Sequence, residues 1–214
     1  MLWGSKPVIS KDAEKIHALL TRGVEEVLPT SDSLHALLSS GKQLRVKLGF
    51  DPTGERIHVG HSAPLLKLKE FQDLGHTVVF IVGDFTAVIG DTSDKDSERP
   101  MLVADAIEKN MATWKAQVSK ILDLSKAEFR YNSEWLGKLT YREIGEHADQ
   151  FSVAGCISRE NIKRRLDAGK RVSLREVLYP LMQGYDSVAI DADVEIGGSD
   201  QRFNLLAGRT LQSA

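Results

Sequence analysis

The sequence predicts an α/β fold, a parallel sheet with helices on both faces and an inserted helical subdomain. Three observations predict it. Thr77-Val78-Val79-Phe80-Ile81-Val82 is β-branched and apolar at successive positions, the pattern of a strand covered on both faces. Residues 46–50 read as a second, short buried strand. Between the two runs Leu65, Leu66, Leu68, Phe71 and Leu74 recur at helical spacing, and Gly75 stops them. Strand, helix and strand within this length make a βαβ unit with a right-handed crossover.

The remaining elements follow in chain order. Asp12 can cap a first helix bearing Ile16, Leu19, Leu20, Val24 and Val27 on one stripe, which Pro29 ends. Residues 33–38 read as a short helix closed by Gly41. A loop over residues 51–57 joins the first strand to its helix. A polar loop over residues 90–100 follows the second strand. One long helix then carries Ala104, Ile107, Met111, Trp114, Val118 and Ile121. Residues 125–172 are more charged and read as the inserted helical segment. Residues 173–185 are helical, residues 187–196 a strand, and residues 200–211 a final helix.

These readings divide the chain into an N-terminal helical segment (1–40), a first half of the sheet domain (41–124), the insertion (125–172) and a second half (173–214). No closing strand follows residue 211, which is the expectation for a piece of a longer protein.

The bulk numbers narrow the classes. A chain of 214 residues, 42% hydrophobic and 27% charged, is long enough for a sizeable core. Its net charge of -2 argues against a protein that coats nucleic acid non-specifically. Cys156 is the only cysteine, so no intrachain disulfide or cysteine-rich zinc site forms, and a small, partly buried thiol is expected. No apolar run is long enough to span a bilayer, and Met1-Leu2-Trp3-Gly4-Ser5-Lys6-Pro7 lacks the core of a secretory signal. The expectation is a cytoplasmic protein. One basic run, Arg159, Lys163, Arg164, Arg165, Lys170, Arg171 and Arg175, is either a solvated helix face or a site for a polyanion.

Three segments carry chemistry. The first strand leaves through Gly49-Phe50-Asp51-Pro52-Thr53, and a helix opens at His58-Val59-Gly60-His61. The carboxyl end of a strand is where an open α/β sheet binds ligands, and a helix N-terminus attracts phosphate. The spacing of Gly49 and Gly54 imitates a P-loop, but Glu55 and Arg56 stand where lysine and a hydroxyl residue belong. His58 and His61 lie on one helical face and can donate to charge developing on phosphate. A metal pair is the rival reading, with no third ligand nearby at metal spacing.

In the second segment, Tyr179, Gln183 and Asp186 fall at i, i+4 and i+7 on one helical face. They are either a solvent-facing edge or a pocket lining. As a lining, Gln183 and Tyr179 can receive an ammonium group and Asp186 a phenolic hydroxyl. A buried acceptor left unpaired would then reject phenylalanine. The third segment, Glu195-Ile196-Gly197-Gly198-Ser199-Asp200-Gln201, is an ordinary turn and helix cap or a place where a ligand approaches backbone and Asp200 accepts from ribose.

His58-Val59-Gly60-His61 resembles the "HIGH" signature of class I aminoacyl-tRNA synthetases, with valine in place of isoleucine or leucine. Gly49-Phe50-Asp51-Pro52-Thr53 ahead of it resembles the tyrosyl branch. The three segments agree with that branch in order and spacing over roughly residues 40–212.

The resemblance implies a Rossmann-like domain that activates L-tyrosine with ATP and Mg2+ as substrates, holds no tightly bound cofactor, and charges tRNA(Tyr). It implies that His58, His61 and Thr53 stabilise the phosphates. Gly49, Asp51, Gly60, Gly198 and Asp200 would meet ATP. Thr86, Asp91, Tyr179, Gln183, Asp186 and Gln201 would line the amino-acid pocket, with Asp91 taking the ammonium. Glu195 stands where other subgroups carry glutamine. Lys47 stands where many tyrosyl enzymes carry a tyrosine that touches the phenol; it suits another bacterial subgroup. Both are assigned to the pocket.

No segment resembling Lys-Met-Ser-Lys-Ser is present, so poor turnover by this chain alone is expected. The family's dimer contact lies in the inserted segment. There Phe129, Trp135, Leu136, Phe151 and Ile157 either form an apolar homodimer interface or pack internally. Three other readings stand beside this one: a non-catalytic binding module, a tryptophanyl enzyme of the same fold, and a metal hydrolase using His58 and His61.

Overall fold

The computed structural model describes residues 8–91 and 103–214. The expected polar loop from residue 92 onward and the first seven residues lie outside them.

Asp12 caps α1 (Ala13–Thr21) by accepting from the amides of Glu14 and Lys15. The helix ends well before Pro29, because Arg22 is extended and Gly23 takes a positive φ of 64°. Val24 and Val27 therefore lie beyond the helix. Thr30 caps α2 (Ser31–Ser39). The βαβ unit is β1 (Arg45–Phe50), α3 (Val59–Asp73) and β2 (Thr77–Val82).

After β2 come α4 (Asp84–Ile89), α5 (Ala104–Met111) and α6 (Trp114–Val118). The single long helix expected here is broken at Ala112 and Thr113. The break turns α6 toward the loop after β1. The Thr113 hydroxyl and Gln117 amide donate to the Glu55 carbonyl at 3.0 and 2.9 Å, and Trp114 Nε1 donates to the Gly54 carbonyl at 3.0 Å. Three tertiary hydrogen bonds outweigh continuation through a threonine of modest helix propensity.

Residues 127–131, expected inside the helical insertion, form β3 (Ala127–Tyr131) and belong to the central sheet. The short helices α7 (Ser133–Leu136), α8 (Tyr141–Ala148), α9 (Val153–Ile157) and α10 (Glu160–Asp167) follow. Then comes α11 (Leu174–Ala189), opened by a reciprocal cap between Ser173 and Glu176. The strand expected from residue 187 is only β4 (Val194–Ile196). Ser187 to Ala189 stay helical against the sheet, and the chain reverses at Asp191, whose φ is 52°. A 3-10 turn, Ser199–Gln201, leads into α12 (Arg202–Gln212).

All strand pairs are parallel and the order is β3-β2-β1-β4. Growth of the sheet reverses between β1 and β4, which opens a crevice at their carboxyl ends. Val46, Leu48, Val78, Phe80 and Val82 face one core with α1, α2, α3 and α6. The alternate positions Val79 and Ile81 face Ile190 and Trp135. Lys47 shares the parity of Val79 and points at α11, where its ammonium reaches the Gln183 carbonyl and the Ser187 hydroxyl.

Helices α11 and α12 pack closely at Gly184. A Cβ there would lie 2.9 Å from the Ala207 carbonyl carbon and 3.0 Å from the Gly208 nitrogen, both backbone and unable to rotate away. Gly184→Ala is expected to lower stability by about 1–3 kcal/mol. A thermal melt matching the parent would contradict this helix contact.

Candidate active site

A cleft of about 410 Å³ opens at the carboxyl ends of β1, β2 and β4. All sixteen site residues expected from sequence line it: Lys47, Gly49, Asp51, Thr53, His58, Gly60, His61, Thr86, Asp91, Tyr179, Gln183, Asp186, Glu195, Gly198, Asp200 and Gln201.

One wall is the tip of α3. His58 caps the helix, and its Nδ1 accepts from the Gly60 amide at 3.1 Å. His61 Nδ1 accepts from the His58 amide at 3.3 Å, and the two rings stack with centroids 3.8 Å apart. An Nδ1 that accepts leaves Nε2 to carry the proton, so each ring offers one N–H donor. Burial, and then the neighbouring His58, lower the His61 pKa to about 4, so this ring is neutral near neutral pH. A Cβ at Gly60 would sit 3.0 Å from His58 Cε1, so a side chain there would press on the His58 ring.

Thr53 rides on the loop after β1. That loop is held from beyond by the α6 contacts above, by Asn110 donating to the Pro52 carbonyl at 2.9 Å, and by a Lys109–Glu55 ion pair at 2.7 Å.

The opposite end of the cleft is acidic. Asp51 accepts from the Tyr179 hydroxyl at 2.9 Å and the Thr86 hydroxyl at 2.7 Å. Burial drives the Asp51 pKa up to about 7; these two hydrogen bonds oppose the rise, and Asp91 and Asp186 add to it. The same burial, with Asp51 and Asp91 beside it, raises Tyr179 well above an ordinary phenol. Asp51 thus joins Tyr179 and Thr86 in one hydrogen-bonded group. Asp186 is 4% exposed. Its carboxylate accepts from Trp135 Nε1 at 2.7 Å and from the Asn132 amide at 3.4 Å. Burial raises the Asp186 pKa to about 6, against the opposing field of Lys47 and those two donors.

Lys47 is fully buried and pairs with Glu195 at 2.9 Å. Glu195 also accepts from Ser187 at 2.8 Å and Gln183 at 3.3 Å. Lys47 therefore forms part of the floor and acts on the pocket through Glu195 and its field. Beside the turn before α12, the Gln201 amide bridges Asp91 at 2.7 Å and Asp200 at 2.8 Å. Among the described residues no cluster of three or more His, Cys, Asp or Glu has metal-binding geometry.

The profile of the family described as tRNA synthetases class I (W and Y) matches residues 39–214. The chain belongs to this class I synthetase family. A tyrosine–tRNA ligase of Carboxydothermus hydrogenoformans is 49% identical over 197 residues, which are 91% of this chain and 48% of that protein. Tyrosine–tRNA ligase 2 of Vibrio vulnificus is 48% identical over 92% of this chain and 50% of its own length. The chain spans about half the length of the curated relatives it matches. Among solved structures, a C-terminally truncated mitochondrial tyrosyl-tRNA synthetase of Coccidioides posadasii superposes with a TM-score of 0.80 at 26% identity, covering 93% of this chain and 60% of that one. The Archaeoglobus fulgidus tyrosyl-tRNA synthetase complexed with L-tyrosine superposes with a TM-score of 0.73 at 27% identity, covering 94% and 60%.

For a class I synthetase site, three residues here escaped the sequence reading. Asn132 is buried, accepts from the Phe85 amide at 3.0 Å and donates to Thr86 at 2.9 Å and to Asp186. It follows β3 directly, so recognising that strand would have flagged its carboxyl end. Trp135 was read as a packing or interface residue, and its indole N–H holds Asp186. Gly83 is small because a Cβ would collide with the Asp51 carboxylate and the Thr86 hydroxyl.

Two open questions in the inserted segment resolve inward in part. Phe129 stacks on Phe80 with centroids 5.4 Å apart, Leu136 is buried, and Trp135 faces Asp186, so these three pack within the chain. The basic run divides. Arg165 forms a buried pair with Glu176, the Arg159 guanidinium lies 5.2 Å from the Phe203 ring, and Arg175 donates to the Ile89 carbonyl. Lys163, Arg164, Lys170 and Arg171 remain exposed. Cys156 is a buried free thiol whose pKa burial raises. No helix among the described residues is long and apolar enough to cross a membrane.

Proposed function

We propose that this chain is the amino-acid-activating part of a tyrosine–tRNA ligase, which forms tyrosyl-adenylate from L-tyrosine and ATP and passes the tyrosyl group to tRNA(Tyr). The observation that carries the reading is one cleft with two chemically opposite ends: paired imidazole donors on a helix tip, and a buried carboxylate held by Trp135 and Asn132. Its relatives' names point the same way.

In this reading the tyrosine carboxylate oxygen attacks the α-phosphorus of ATP. The bond from that phosphorus to the bridging oxygen breaks, and pyrophosphate leaves with its Mg2+. Charge grows on the phosphate oxygens, where His58 Nε2, His61 Nε2 and Thr53 serve as donors. Gly49 and Gly60 leave room for the nucleotide, and Gly198 and Asp200 meet the ribose. Asp91, Tyr179, Gln183, Thr86 and Gln201 surround the ammonium end. Asp51 supports Tyr179 and Thr86 in that group. Asp186 accepts from the phenol, while Lys47 and Glu195 form the floor beneath it. The chemistry demands positioning more than an acid or base, which suits a helix tip where the His61 ring is neutral.

The same reading carries a second copy of the chain and tRNA as partners. A homodimer contact through the inserted segment agrees with the exposure of Tyr141 and Val153 on α8 and α9. The reducing cytoplasm suits the unpaired thiol of Cys156.

Calorimetry of the chain with tyrosine, phenylalanine and tryptophan tests the reading. Tyrosine alone is expected to bind measurably. Preferential binding of tryptophan would move the chain to the other half of its family, and no binding of any of the three would remove the ligase reading.

A further inference from the structure

We infer that Asn204, in the first turn of α12, is a positioning residue that sets the amide orientation of both Gln183 and Gln201. The inference deepens the tyrosine-activating reading and rests on it for the effect on affinity. Asn204 is 1% exposed and does not line the cleft. Its Nδ2 lies 3.0 Å from Gln183 Oε1 and 2.8 Å from Gln201 Oε1. One amino group with two hydrogens thus meets two carbonyl oxygens.

The acids at the far ends dictate these orientations. Gln201 Nε2 sits between Asp91 Oδ2 at 2.7 Å and Asp200 Oδ2 at 2.8 Å, where an amide oxygen would face two carboxylates. Its oxygen must therefore point to Asn204. Gln183 Nε2 faces Glu195 Oε1 at 3.3 Å, so its oxygen points to Asn204 as well. Only a donor can meet both oxygens at that point. The relay joins the acids of the ammonium and ribose ends to the Lys47–Glu195 floor. It also lets three carboxylates share one cleft with an amide hydrogen against each.

Asn204→Asp keeps the shape and removes both donors. The carboxylate oxygen that replaces Nδ2 would then face both amide oxygens. The glutamines are driven to turn over, and their oxygens come to face Asp91, Asp200 and Glu195. Charged or titratable neighbours of the relay are Asp91, Asp200, Glu195, Lys47 and Tyr179, together with Arg159 over the Phe203 ring and Arg202, which pairs with Glu26.

The test is calorimetry of tyrosine binding by the parent chain and by Asn204→Asp from about pH 5.5 to about pH 8.5. The variant is expected to bind about 10- to 100-fold more weakly at the alkaline end. The deficit relative to the parent should narrow several-fold toward the acid end, where the introduced carboxyl takes up a proton and regains one O–H donor. Taking the ratio at each pH cancels the titration of Asp51 and Asp186, which both proteins share. Side-chain amide NMR of the ligand-free proteins supplies a readout independent of tyrosine. The Gln183 and Gln201 amide signals should shift and lose exchange protection in the variant. A deficit that does not vary with pH, or amide signals that stay in place, overturns the inference. A parent chain that binds no tyrosine sinks the ligase reading instead, and the amide signals still decide the role of Asn204.

Discussion

Asp186→Asn is expected to weaken tyrosine binding about 10- to 100-fold and to erase the preference for tyrosine over phenylalanine. The substitution keeps volume and shape. It replaces a carboxylate that accepts from Trp135 Nε1 and Asn132 with an amide that brings its own N–H donors into the same space. A charged acceptor for the phenol is lost, and one indole or amide donor loses its partner. Phenylalanine never used that acceptor, so its weak binding should barely change.

The same carboxylate predicts a pH dependence. The Asp186 pKa is raised to about 6, so the ionised form dominates above it and the neutral form below. Tyrosine affinity should therefore fall as pH drops through about 6, while Asp51, raised to about 7, protonates over the upper part of the range. For stability the sign is opposite. Between the ordinary aspartate value of 3.8 and about 6, the unfolded chain releases the proton that the folded chain keeps. Asp186 thus costs stability as pH rises through that window. Tyrosine affinity that stays flat down to about pH 5, in a chain that remains folded, would falsify the role of the ionised carboxylate.

Lys47→Met is expected to lower stability by about 3 kcal/mol, because removing one partner of a buried ion pair strands the other charge. In a chain of this size that is a fall in Tm of roughly 6–12 °C. Glu195 keeps its bonds from Ser187 and Gln183, which holds the cost near the lower end. The double change Lys47→Met with Glu195→Gln should recover most of the loss, since no charge then remains unpaired. The substitution also removes the field that opposes the rise in the Asp186 pKa. The acid limb of tyrosine binding should therefore move upward in pH in the single variant, and by less in the double one, which also loses the raising field of Glu195. A stability loss without that displacement would restrict Lys47 to a structural part.

Much of the site was legible because its chemistry is local. His58 and His61 lie three residues apart at a helix start, Tyr179, Gln183 and Asp186 repeat at helical spacing, and the glycines before Asp200 mark a strand-to-helix turn. Each pattern needs only its own neighbours. The fold was legible for the same reason at β2, where an unbroken apolar run admits few alternatives. It failed where long-range contacts outweigh local preference. The helix over residues 104–121 breaks because α6 is pulled onto the carbonyls of Gly54 and Glu55. Residues 187–189 stay helical because α11 is packed on the sheet. β3 was hidden because Ala127-Glu128-Phe129-Arg130-Tyr131 carries charge on alternate positions, as an edge strand does.

By itself the sequence determined a parallel α/β sheet, the helix tip with its two imidazoles, and the stripe of Tyr179, Gln183 and Asp186; the other residues of the site came from the resemblance to a known family. The local features follow from side-chain periodicity and from turns, which act over a few bonds. Only the tertiary structure decided that Lys47 is locked to Glu195, that Trp135 and Asn132 hold Asp186, and that Asn204 governs two glutamines. Each of those depends on burial. A charge or an amide removed from water must find its partner across the fold, and which partner it finds is set by packing between elements far apart in the chain.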